Sequence, residues 1–324
     1  MSHFFLNKPV FWGILIGWFC CTCDAPRQNP LDPENPDNNL AMISGQVETL
    51  SHLPVSKVNV YWQNDNRYLK TNEQGNFQIE NVPPQDGWIH FSKTGFLDDS
   101  IYIEWGKDLD RKLNIAFNAK PRLDSLLIYS IIKNKFLNIQ ELTLNVETII
   151  NDPDKDIDTV YVKNPDLDFN SFLRFDFSKQ MYRRSFSMSE LGIVNVEAVI
   201  GHEFQFIVKD EFDHWINLDR MGLKRIIKEQ INLESPVGYA IVSSRPTFNW
   251  EPINPGYSLT YDIEIYNNDD EQQIIWQKQG ISQSTFFIQL DTSLPVSPNY
   301  SWAIWCTDEF HNRSRSRVAH FEVE

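Results

Sequence analysis

This sequence predicts an all-β protein, a row of tandem β-sandwich domains behind a disordered tether. Three observations predict it. Aromatic side chains are abundant, with ten Trp and twenty-two Phe in 324 residues, and they suit the pleated, half-buried surface of a sheet. Apolar and polar residues alternate over short runs, the period of a strand with one buried face. Pro, Asn, Asp and Gly punctuate those runs at turn spacing.

The chain opens differently. Lys8 supplies a positive charge ahead of an apolar stretch from Pro9 to Phe19. That stretch is the size of a signal-peptide core and too short for a bilayer of about 30 Å. It ends in Cys20-Cys21-Thr22-Cys23. The cluster resembles a bacterial lipoprotein lipobox, which implies a signal peptide over 1–23 and lipidation at Cys23, with Cys21 the second choice. The alternative is an ordinary signal peptide whose cysteines leave with it. Residues 24–40 are rich in Pro, Asn and Asp. Proline fixes φ and removes a donor, so this stretch reads as an extended tether. Together these features imply export and a membrane-held protein at the bacterial outer membrane or cell surface.

The net charge of −15 argues against nucleic acid, which needs a basic face. Beyond Cys23 a single cysteine remains, Cys306, so no disulfide framework exists in the folded part.

The first domain spans 41–119. Strands are expected at Ile43–Val47, Val58–Trp62, Tyr68–Thr71, Phe77–Ile79 and Trp88–Phe91, with Gly75 in a turn that needs positive φ. The motifs Ile43-x-Gly45-x-Val47, Thr71-x-x-x-Gly75-x-Phe77-x-Ile79, Asn81-Val82-Pro83 and Lys93-x-Gly95-Phe96 resemble the carboxypeptidase regulatory-like domain. The resemblance implies a prealbumin-like sandwich without catalytic residues. Related folds include starch-binding modules, so Trp62 and Trp88 are candidate ligand contacts by analogy.

The middle domain spans 120–232. Leu142, Leu144 and Val146 alternate, and His202–Val208 is a strand. Asp152, Asp154, Asp156 and Asp158 are a weak calcium candidate beside the simpler reading of a turn. An EF-hand is excluded, because Ile157 occupies the glycine position. The segment resembles bacterial immunoglobulin-like domains. Residues 219–231 are expected to form a short helical connector.

The third domain spans 233–324. Pro246-Thr-Phe-Asn-Trp250, Tyr261–Ile265 and Tyr300–Ile304 resemble strands of a fibronectin type III domain, with Trp250 in the core and Tyr300 as a tyrosine-corner residue. Cys306 is in phase with Trp302 and Ile304, hence a buried small hydrophobe. Trp305 is out of phase and is a third candidate ligand contact. Asp210-Glu211-Phe212 recurs as Asp308-Glu309-Phe310, each time after a β run. The repeat marks the hairpin of the last two strands in two related sandwiches.

No GxSxG, HExxH, P-loop or GxGxxG is present, and the seven His are scattered. No cofactor or catalytic residue is expected. The expectation is a noncatalytic envelope lipoprotein whose sandwiches act as spacer and protein-interaction scaffold. The alternative is carbohydrate binding by exposed aromatics of the first or third domain.

Overall fold

The computed structural model describes residues 40–267 and 273–324. The signal segment, Cys21, Cys23 and the tether lie outside the described residues. Those that are described form strands joined by turns, with three short 3-10 turns and no α-helix among them. They divide into two compact units, one ending at Phe117 and one running from Asn118 to Glu324.

The first unit is a two-layer sandwich. One sheet orders β4 (Asn76–Val82), β1 (Ala41–Thr49) and β7 (Asp110–Phe117). The other orders β3 (Arg67–Lys70), β2 (Asn59–Trp62), β5 (Gly87–Ser92) and β6 (Asp99–Ile103). Alternation explains the layers. Val60, Trp62, Ile89 and Phe91 point inward onto Ile43, Val47, Phe77 and Ile79, and their neighbours point out. Gly75 has φ 75° and a Cβ there would collide with the Val47 carbonyl, so the turn requires glycine.

The second unit contains two sandwiches. The first has β8 (Arg122–Lys135), β9 (Ile139–Asn151), β10 (Ile157–Asn164), β11 (Phe169–Asp176), β12 (Met181–Ser187), β13 (Glu203–Asp210) and β14 (Trp215–Gly222). The pairing runs β14-β13-β10-β11-β12-β9-β8, and the sheet folds over a core of Leu144, Val160, Phe186, Phe204 and Phe206. The second has β15 (Leu233–Ser235), β16 (Ala240–Val242), β17 (Thr247–Trp250), β18 (Leu259–Asn267), β19 (Ile274–Ser282), β20 (Phe287–Gln289), β21 (Ser297–Asp308), β22 (Arg313–Arg315) and β23 (Ala319–Val323). Trp250, Tyr261, Trp302 and Phe321 fill its core. Tyr300 donates its hydroxyl to the Pro295 carbonyl at 2.9 Å, the expected corner.

The two sandwiches share one sheet. β22 pairs in parallel with β8, Arg313 to Arg315 lying opposite Ile131 to Lys133. Buried polar bonds lock the seam. Asn312 Oδ1 accepts from the Ser130 amide at 2.9 Å and its hydroxyl at 3.0 Å, and Asn134 Nδ2 donates to the Arg315 carbonyl at 2.8 Å.

The helical connector is corrected. Beyond Gly222 the chain forms no helix, and residues 223–232 carry no regular secondary structure. Its apolar spacing serves two cores: Leu223 packs into the first sandwich of this unit, Ile227 and Ile231 into the second.

Candidate functional site

The outer face of the β3-β2-β5-β6 sheet carries an unusual set of side chains. Register stacks them in cross-strand rows. Tyr61 lies opposite Tyr68 on one side and His90 on the other, and His90 lies opposite Ser100. One step along the strands, Asn59 lies opposite Lys70 and Ser92. One step the other way, Trp88 lies opposite Tyr102.

The rings contact one another. Tyr61 stacks on Tyr68 at 4.3 Å and on His90 at 5.8 Å. Trp88 stacks against His90 at 6.5 Å and meets Tyr102 edge-on at 5.2 Å. They are nonetheless open to solvent: Tyr68 is 73% exposed, Trp88 42% and Tyr102 46%. The Tyr61 hydroxyl donates to Asn66 at 2.9 Å. Desolvation and then the Tyr68 phenol raise its pKa, so it stays a neutral donor. A groove of about 430 Å³ runs between the Tyr68–Tyr61–His90 row and the Lys70–Asn59–Ser92 row. No carboxylate occupies these rows, in a chain of net charge −15.

The three candidate tryptophans separate. Trp88 belongs to this face. Trp62 is fully buried and fills the sandwich core, so it is removed as a contact. Its phase with Val58 and Val60 is the sequence signal for that burial. Trp305 is 8% exposed. Its indole donates to Glu264 at 2.7 Å and the Arg313 guanidinium covers its ring at 4.5 Å, which removes it too. Tyr61, Tyr68, His90 and Tyr102 were missed. Their signal is the phase opposite to Val60, Ile89 and Phe91.

The aspartates of the 152–158 loop turn to separate partners. Asp152 accepts from the amides of Asp154 and Asp156. Asp154 accepts from the Ala119 amide at 2.6 Å, and Asp156 from Asn118 at 2.9 Å. Asp158 meets Lys209. Among the described residues no group of three or more His, Cys, Asp or Glu is arranged to hold a metal. The loop is a hydrogen-bonded turn that grips the incoming chain. Cys306 is buried, and burial pushes its thiol up to about 12, far from a reactive thiolate.

Residues 43–127 match the family of the CarboxypepD_reg-like domain. The match covers the first unit from β1 onward and runs into β8, and families of this type are noncatalytic domain types. No curated protein matches the chain by sequence. Among solved structures, the chain is similar to the fibronectin(III)-like modules of Clostridium thermocellum CbhA, at 10% identity and TM-score 0.30, covering 63% of this chain and 93% of that one. It is also similar to the major pilin subunit BcpA of Bacillus cereus, at 8% identity and TM-score 0.26, covering 84% and 91%. A third is chicken CNTN1, at 11% identity and TM-score 0.30, covering 82% and 90%. At such scores these likenesses carry no argument about ligand or partner. No helix among the described residues is long and apolar enough to cross a membrane.

Proposed function

We propose that the protein is a noncatalytic surface lipoprotein, anchored through Cys23, whose fused sandwiches form a stiff protein-interaction scaffold. The observation behind it is the seam between β8 and β22. A flexible string of domains would need neither parallel pairing nor buried Asn312 and Asn134. The lipobox-like cluster and the proline-rich stretch support the anchor. Crosslinking in intact cells, followed by purification and mass spectrometry, tests the reading. A stoichiometric protein partner supports it; recovery of the chain without one counts against it. Labelling with a fatty-acid analogue, lost in Cys23→Ala, tests the anchor, and Cys21→Ala tests the second choice.

A second reading is carbohydrate binding through the first domain. The exposed aromatic face around Trp88 favours it, while burial of Trp305 takes away the counterpart in the third domain.

A further inference from the structure

We infer that the outer face of the first domain binds an uncharged polysaccharide, in the groove between the Tyr68–Tyr61–His90 row and the Lys70–Asn59–Ser92 row. This rests on the carbohydrate reading and gives it a site and a ligand class.

The chemistry of the face selects the ligand. A sugar ring has apolar C–H faces and a rim of hydroxyls. It needs aromatic carbon on one side and neutral hydrogen-bonding groups on the other. The groove has both. Its ring row offers stacked aromatic carbon, and the neighbouring row offers an amide, a hydroxyl and one ammonium. The next row adds Trp88 and Tyr102, which lengthens the aromatic surface. The outward positions of these rows carry no aliphatic side chain, and Leu69 lines the groove only from its half-buried place in β3. The rows carry no carboxylate on an acidic chain, and Lys70 is their one charged side chain. A single Lys70 cannot supply the multiple cations that a polyanion demands.

Energetics point the same way. An exposed aromatic normally loses side-chain freedom on binding. Here Tyr61 is held between Tyr68 and His90 and bonded to Asn66, so much of that ordering precedes the ligand. Strand pairing fixes the spacing of the rows, so the groove is preformed rather than induced.

The test uses the full chain in mild detergent, run in native gels cast with defined polymers. The neutral set is starch, laminarin, xyloglucan and galactomannan; the acidic set is polygalacturonate and heparin. Expected is retardation by at least one neutral polymer, unchanged between low and high salt. Tyr68→Ala should weaken it about tenfold or more, and Trp88→Ala by less, with Tm within about 3 °C of the parent. Neutral binding that survives both substitutions overturns the site while leaving the carbohydrate reading standing. Retention by acidic polymers alone, lost in salt, overturns the ligand class. No retention by any polymer overturns both.

Discussion

In the middle sandwich Asp210 opens the turn between β13 and β14; in the third, Asp308 opens the turn between β21 and β22. The backbones are the same. Asp210 Oδ1 accepts from the amides of Phe212 and His214, and Asp308 Oδ1 from those of Phe310 and Asn312, all at 2.9 Å. The fourth residue is left-handed in both, Asp213 at φ 66° and His311 at φ 65°. The second carboxylate oxygen holds the chain that enters each sandwich. Asp210 takes Asn118 at 3.0 Å and Asp308 takes the Arg225 guanidinium at 2.8 Å. The fifth residue differs. The ring of His214 bonds back to Asp210 and its side chain is half open to solvent, whereas Asn312 is buried and also crosses to Ser130. One template closes a hairpin and latches a domain; a change at its fifth position adds a seam between domains.

Partner charge sets the largest expected difference. Asp308→Ala strips one of two carboxylates from an arginine packed against Tyr257 at 3.9 Å and Phe310 at 4.6 Å, leaving it Glu309 at 2.9 Å. A loss of about 2–3 kcal/mol is expected, from the turn bonds and the lost charge pair together. Asp210→Ala leaves no guanidinium behind and relieves repulsion on Asp156, so about 1–2 kcal/mol is expected. Urea unfolding of the two variants measures this. Equal losses would show that the guanidinium adds nothing to the shared turn.

The next test is acid-base and concerns the Asp210 corner. Asp156 is 6% exposed and close to Asp210 and Asp152. Burial, then the Asp152 carboxylate, raises its pKa from 3.8 to about 6. Between those values the folded chain binds more protons than the unfolded one, so stability falls as pH rises through that window. The contribution is whole below 3.8 and gone above 6. Asp156→Asn should remove this slope and gain about 1–3 kcal/mol at pH 7. Asp210 behaves oppositely. Burial works against its charge, yet bonds from the His214 amide and ring and from the Phe212 amide lower its pKa. Its contribution is present above the ordinary carboxylate range and fades in stronger acid. A variant with the parent's pH profile between 4 and 6 would refute the Asp156 assignment.

Much of this was legible in the chain. Alternation located the strands around Val60, Phe91, Leu144 and Trp302, and the repeated DEF located both turns. A hairpin turn is local, so its residues sit together in sequence. The seam was not legible, because Asn312 and Ser130 are 182 positions apart and each alone reads as a turn or strand residue. The same limit misled the reading of Trp305, exposed by phase but covered by Arg313 and bonded to Glu264. Leu223, Ile227 and Ile231 at every fourth position imitate a helix, yet they divide between two cores, Leu223 in one and the two isoleucines in the other. The aromatic face was half legible. Trp88 stood out by its size, whereas Tyr68 and Tyr61 meet only once β2 and β3 pair.

Exchanging the fifth residues isolates that position from the rest of the turn. Asn312→His keeps a ring that can return to Asp308, as His214 does to Asp210, but gives up the carbonyl that receives Ser130. The Ser130 amide and hydroxyl would lose their buried acceptor, and a loss of about 1 kcal/mol is expected. Hydrogen exchange at the Ser130 amide should quicken, while exchange in the cores on either side stays as in the parent. His214→Asn is the smallest effect, within about 0.5 kcal/mol, because an amide can replace the ring at Asp210 and nothing further depends on it. If His214→Asn costs as much as Asn312→His, the fifth residue serves the turn alone, and the seam owes its rigidity to the β8–β22 pairing and Asn134.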